Sequence, residues 1–159
     1  MKAYGHLLER DNEYRERAAA FSLRVRDISE FLAETGFEPP KKAIRARKIA
    51  YQDACHLAHG QGIKDAPREL LASLPGVQLV ELKESDMCCG SAGVYNLTQP
   101  VLARRLLERK WRCIEESGAE IIASGNPGCL AWIQQAARER RSPIRVVHTA
   151  VLLAEAYLG

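Results

Sequence analysis

No window of this 159-residue sequence approaches the run of ~18 apolar residues that a membrane-spanning helix needs. The opening segment MKAYGHLLERDNEYRERAAAF carries charges where a secretion signal would be apolar. Both absences lead to the expectation of a soluble protein inside the cell. Charge of one sign is also scarce: 23 Lys and Arg are interspersed with 20 Asp and Glu, for a net charge of +3, so the basic footprint of a nucleic-acid binder is missing. The densest basic stretch, KKAIRARK from Lys41 to Lys48, reads as a solvated approach to a strand rather than a phosphate or membrane patch. Neither G-x-G-x-x-G nor G-K-[ST] occurs, which removes the common phosphate-binding loops. Repeats and low-complexity tracts are lacking as well. The length and the 47% hydrophobic content suit one ordinary core and not two.

What is present is a change of rhythm along the chain. From Asp11 to Thr35 the apolar residues Tyr14, Ala18, Phe21, Val25, Ile28 and Leu32 recur at spacings of four and three, which predicts one long amphipathic helix ended by Gly36, Pro39 and Pro40. Beyond it, short β-like runs alternate with helical patterns. Strands are predicted around Ile49–Tyr51, at Val77–Leu82, at Glu120–Ser124 and at Ile144–Val147. Helices are predicted over Asp65–Leu74, with Asp65 as N-cap, then over Pro100–Ser117, Pro127 to about Arg140, and Thr149–Leu158. The expected fold is α/β, a mostly parallel sheet with helices on both faces, preceded by a long N-terminal helical arm. Residues 1–40 form the arm and 41–159 the α/β domain.

In open parallel sheets ligands collect beyond the carboxyl ends of the strands. Cys55 follows the first predicted strand, Cys88 and Cys89 the second, Cys129 the third and His148 the fourth. Five cysteines inside a reducing cell point away from a disulfide framework and toward metal binding, catalysis or burial. Cys113 is the exception, falling with Leu102 and Leu106 on one helix face, and reads as core. Cys129 is expected in the first turn of its helix, where the macrodipole lowers a thiol pKa. Adjacent cysteines rarely serve one tetrahedral metal but suit a multinuclear cluster, in which each reaches a different metal atom. Two rival chemistries use the same residues: a mononuclear zinc site built from Cys55, His56, His59 and Cys88 or Cys89, and a Cys55 nucleophile activated by His56, His59 or His148. The second leaves the cysteine pair unexplained. His6 reads as solvated, and His148 is balanced between helix capping and a supporting role at the site. The turn GSAG reads as wrapping a cluster, with Gly90 making room for it.

The stretches YQDACHLAHGQGI, CCGSAGVYNLTQP, ASGNPGCLAWI and RVVHTAVLLAEAY, together with the arm, resemble the C-terminal cysteine-rich CCG domain of glycolate oxidase iron–sulfur subunits, a family that includes the cysteine-rich subunit of heterodisulfide reductase. The family motif is Cys, thirty-odd residues, Cys-Cys-Gly, thirty-odd residues, then Cys-x-x-Cys. Here 32 residues separate Cys55 from Cys88 and 36 separate Cys89 from Asn126, which stands where the first cysteine of the last pair would be. The resemblance implies an iron–sulfur cluster on Cys55, Cys88, Cys89 and Cys129, with Gly90, Asn126, His56 and His148 supporting it. In five-cysteine members that centre is a non-cubane [4Fe-4S] cluster. It further implies an oxidoreductase subunit rather than a self-sufficient enzyme. Its partners would be flavin-containing glycolate oxidase subunits, with no nucleic acid, and it would pass electrons from them toward quinone. The location would be cytoplasmic, with peripheral contact at the inner face of the cell membrane through the complex. Ferredoxin-type Cys-x-x-Cys-x-x-Cys-x-x-x-Cys-Pro motifs are lacking, so the resemblance implies a fragment or a split subunit. The alternative is a non-redox assembly domain with a structural zinc or an empty cysteine site.

Overall fold

The computed structural model describes residues 1–41 and 47–158, so the middle of the basic stretch, residues 42–46, lies outside the described residues. Two compact units are present, Met1–Gly36 and Phe37–Gly159. The first contains α1 (Tyr4–Leu7), α2 (Arg15–Arg24) and α3 (Ile28–Glu34). The single helix expected across Asp11–Thr35 is thus two. Val25 is extended (φ −69°, ψ 123°), and the cause lies two residues on. The Asp27 carboxylate accepts the Ser29 N–H at 2.9 Å while Glu30 accepts the Asp27 N–H at 2.9 Å, a capping box that starts a new helix whatever the apolar period says. Of the predicted stripe, Ala18 is buried, and Tyr14, Phe21 and Ile28 are exposed.

The second unit holds β1 (Arg47–Tyr51), α4 (Cys55–Ala58), α5 (Asp65–Ser73), β2 (Val77–Val80), α6 (Tyr95–Thr98), α7 (Pro100–Ser117), β3 (Ile121–Ser124), α8 (Pro127–Glu139), β4 (Arg145–His148) and α9 (Thr149–Leu158). The sheet is parallel throughout, in the order β2-β1-β3-β4. Ala50, Ile122 and Val146 stand in register across it. They pack in one core cluster with Leu107, Trp111 and Ile114 of α7 and Leu130, Ile133 and Ala136 of α8. Each large apolar side chain buried there contributes about 1.5–3 kcal/mol. Strand alternation turns Ile49, Tyr51 and Val147 to the opposite face, which α5 and α9, in contact with each other, cover.

Several local expectations shift. Asp65 is the first residue of α5 rather than its N-cap, a place taken by Lys64 without a side-chain bond. β2 ends at Val80, and the single-turn helices α4 and α6 arise where loops were expected. Leu102 is 45% exposed, because the buried face of α7 runs through Ala103, Leu107, Lys110, Trp111 and Ile114. Cys113 is buried in the core as expected. The chain leaves β1 toward β2 on one side and returns across β1 to β3 on the other, so the connections diverge between β1 and β3. That crevice, at the carboxyl ends of the strands, is where such sheets bind ligands. Among the described residues no helix is long and apolar enough to cross a membrane.

Candidate metal centre

The two central strands deliver the outer members of the cysteine set. Cys55 opens α4 just after β1, and Cys129 is the third residue of α8 just after β3. The Cys88-Cys89 pair lies on the long connection after the edge strand β2, which must be drawn inward to meet them. Four contacts do this. The Asp53 N–H donates to the Ser85 carbonyl at 3.1 Å, and the buried Gln52 amide donates to the Met87 carbonyl at 3.2 Å. His59 Nε2 lies 3.1 Å from the Asp86 carbonyl. The fourth is a fork. Arg68 donates to both oxygens of the buried Asp53 carboxylate at 2.7 Å and to Ser85 Oγ at 3.2 Å, clamping both cysteine-bearing loops to α5.

All five cysteines are free thiols, with Cys89 and Cys129 buried and Cys55 and Cys88 half-buried. The four at the strand ends act on one another in order along the crevice, Cys55 on Cys88, Cys88 on Cys89 and Cys89 on Cys129. Burial pushes the Cys55 thiol up, and Cys88 beside it adds to the shift. The bond to Cys89 and then burial raise Cys88 well above the ordinary thiol range. Cys89 is pushed up to about 12, first by its bond with Cys129. Cys129 is lowered instead, chiefly by its neighbour Cys89, against the opposing effect of burial. Backbone N–H groups face the sulfurs too, from Gly90 to Cys88 Sγ at 3.3 Å and from Ser91 to Cys89.

The supporting residues make specific contacts around the row. Asn126 is the N-cap of α8. Its Oδ1 accepts the Cys129 N–H at 3.0 Å, and its Nδ2 lies 2.9 Å from His56 Nδ1. It fixes the Cys129 turn and ties it to the Cys55 turn, and its amide reaches an imidazole rather than a sulfur. His148 caps α9, its Nδ1 accepting the Ala150 N–H at 3.1 Å. Gly90 makes room for α7: at φ +95°, an added Cβ would stand 2.4 Å from the Ala103 carbonyl oxygen. His6 is exposed beside Glu9.

One neighbour went unnoticed in the sequence. Lys110 of α7 is fully buried, and its ammonium donates to the Glu84 carbonyl. Burial lowers its pKa. The signal was available, since Lys110 falls three residues from Leu107 and four from Ile114 on the core face of α7.

The donor set fits a sulfur-rich, multi-atom centre. Four thiols in a row, N–H groups aimed at two of them and a nearby cation suit an anionic thiolate cluster. Among the described residues no group of three or more His, Cys, Asp or Glu side chains is placed to hold a metal ion, so the zinc alternative gains no support from the geometry and the case for a cluster rests on the donor set. At the carboxyl ends of β1 and β3 the buried Gln52 Oε1 and Ser124 Oγ have no hydrogen-bond partner among the described residues, leaving polar capacity on the floor of the crevice.

Residues 49–134 match the CCG cysteine-rich domain. The chain is 38% identical over 156 residues to the probable glycolate oxidase iron-sulfur subunit of Bacillus subtilis (strain 168), covering 96% of this chain and 35% of that protein. It is 36% identical over 153 residues to the glycolate oxidase iron-sulfur subunit of Escherichia coli (strain K12), covering 95% and 37%. To lactate utilization protein A of Oceanobacillus iheyensis it is 29% identical over 154 residues, covering 96% and 63%. The chain therefore spans about a third of the length of the two glycolate oxidase subunits.

Proposed function

The chain belongs to the family of CCG cysteine-rich domains, and from that membership we propose that it is an iron–sulfur electron-transfer module of a 2-hydroxy acid oxidase complex, with glycolate as the substrate of the assembly. The observation that carries this reading is the convergence of Cys55, Cys88, Cys89 and Cys129, from three separate strand ends, on one edge of the parallel sheet, with Cys89 and Cys129 in the same core cluster. A [4Fe-4S] cluster on these four thiolates supplies a one-electron carrier when bound. Asn126 does not ligate it but holds Cys129 and His56 in place. Gly90 and Ser91 stabilise the sulfurs through their N–H groups, and Asp53 with Arg68 keeps the two loops together. His148 shapes the rim by starting α9.

Residues 1–40 serve as connector and 41–159 as the cluster-binding domain. Electrons arrive from a flavin-bearing partner subunit that oxidises the hydroxy acid, and leave toward quinone. Membrane contact is made through the complex by a cytoplasmic module. The names of the glycolate oxidase and lactate utilization relatives support this assignment.

The test is anaerobic loading of the chain with iron and sulfide, followed by absorption and electron paramagnetic resonance spectra and by iron and sulfide analysis. A brown protein with a reducible cluster is expected. A folded protein that stays colourless and takes up neither element refutes the reading.

A further inference from the structure

We propose that Lys110 is the built-in counter-cation of the thiol site and raises the reduction potential of the anionic centre held there, an inference that rests on the iron–sulfur reading above. Lys110 is 0% exposed. Among the described residues its ammonium bonds the Glu84 carbonyl and pairs with no carboxylate. The Glu84 carboxylate is taken by Arg109, with Nε 2.9 Å from Oε2. An ammonium carries three donors, and a buried charge without an opposite charge is costly. The α7 face that bears Lys110 packs on the cysteine site: Gly90 lies against the Ala103 backbone, and Leu107, Trp111 and Ile114 share one core cluster with Cys89 and Cys129. Besides Glu84 and Asp86, its charge acts on Cys55, Cys89, Cys113 and Cys129, three of them in the row. As free thiols they give it no anion; as cluster thiolates they do.

Reduction adds one negative charge to the centre, so a fixed cation beside it favours the reduced form. A unit charge roughly 10 Å from a redox centre, at an effective dielectric of about 20, moves such an equilibrium on the order of tenfold. Anchoring is the competing account. Glu84 has a left-handed backbone (φ 54°), and the bond from Lys110 could serve only to hold that turn.

The experiment compares the full chain with its Lys110→Met variant, by potentiometric titration of the loaded proteins and thermal melting of the metal-free ones. The expected result is a reduced-to-oxidised ratio about tenfold lower at a fixed potential, equivalent to 59 mV for one electron, with a metal-free melting temperature that holds or rises. An unchanged potential with a lower melting temperature is the signature of a mere anchor and overturns the proposal. Should the Met variant not take up the cluster, Lys110→Arg and Lys110→Gln carry the comparison. A wild-type potential in Arg with a lower one in Gln supports the cation, and equal potentials overturn it. Failure of the wild-type chain to bind iron and sulfide strikes down the iron–sulfur reading itself, whereas a loaded pair with equal potentials removes only the role of Lys110.

Discussion

Replacing Arg68 by Met tests whether the clamp between the cysteine-bearing loops is as tight as its geometry. The Asp53 side chain is 4% exposed and that of Arg68 30%, joined by two bonds of 2.7 Å. Removing one partner of a fully buried pair costs about 3–5 kcal/mol, and the partial exposure of Arg68 lets water reach the orphaned carboxylate and reduces that figure. Loss of the guanidinium from the Tyr51 ring, 4.9 Å from its centroid, adds about 0.5–1 kcal/mol. The net expectation is about 2–3 kcal/mol, or roughly 4–12 °C in Tm for a chain of this size. Burial raises the Asp53 pKa, yet the bonds from Arg68 and Ser85 outweigh it and hold the carboxyl below its ordinary value. In the wild type this stability is present above the unfolded aspartate value of about 3.9 and is lost as pH falls through the folded one. In the variant, burial acts without Arg68 and the folded pKa rises, so the penalty is full at neutral pH and relieved as acid protonates Asp53. Urea unfolding of the metal-free proteins at neutral pH and at about pH 4.5 should therefore show the gap narrowing on acidification. A pH-independent difference, or one under about 0.5 kcal/mol, refutes the reasoning.

Gly90→Ala should destabilise by about 2–4 kcal/mol, since its Cβ meets the Ala103 carbonyl oxygen at 2.4 Å and φ is +95°. Gly93→Ala, with φ +61° and nothing within 4 Å of the new Cβ, should cost only about 1–2 kcal/mol of backbone strain; equal losses in urea unfolding would contradict the packing account. Asn126→Ala removes the α8 cap and should cost about 1 kcal/mol while iron per chain stays unchanged, so a loss of iron without a loss of stability would mark Asn126 as a ligand. Cys113→Ser should leave iron content intact while Cys88→Ser abolishes it, measured by metal analysis after identical loading; matching losses would mean the ligands are misassigned.

The strand-end placement of Cys55, Cys88, Cys89 and Cys129 was legible because parallel β-α units put every such loop at one edge of the sheet. Pro127 and Gly118 likewise marked helix ends from local chemistry alone. Tertiary detail was not legible. The Gly90 requirement is set by a helix backbone that the sequence does not place beside it, and its local context, next to two thiols, suggested a cluster instead. The apolar period concealed the break before α3, because Asp27 and Glu30 act through side-chain bonds that hydrophobicity does not register. Lys110 was overlooked for the reverse reason: a charge on the core face of a helix looks like noise until its surroundings are seen.

Cys55 and Cys129 are 74 positions apart in the chain, yet they issue from neighbouring strands that pair in register. A loop of that length closes only when the central strands have already associated, and the closing entropy is met by sheet and core rather than by sulfur. Unlike a zinc finger, whose ligands are gathered by the metal itself, this chain has the spacing of Cys55 and Cys129 set by the pairing of β1 with β3, so a substitution that weakens the sheet far from any sulfur would disturb the thiol row as surely as the loss of a cysteine.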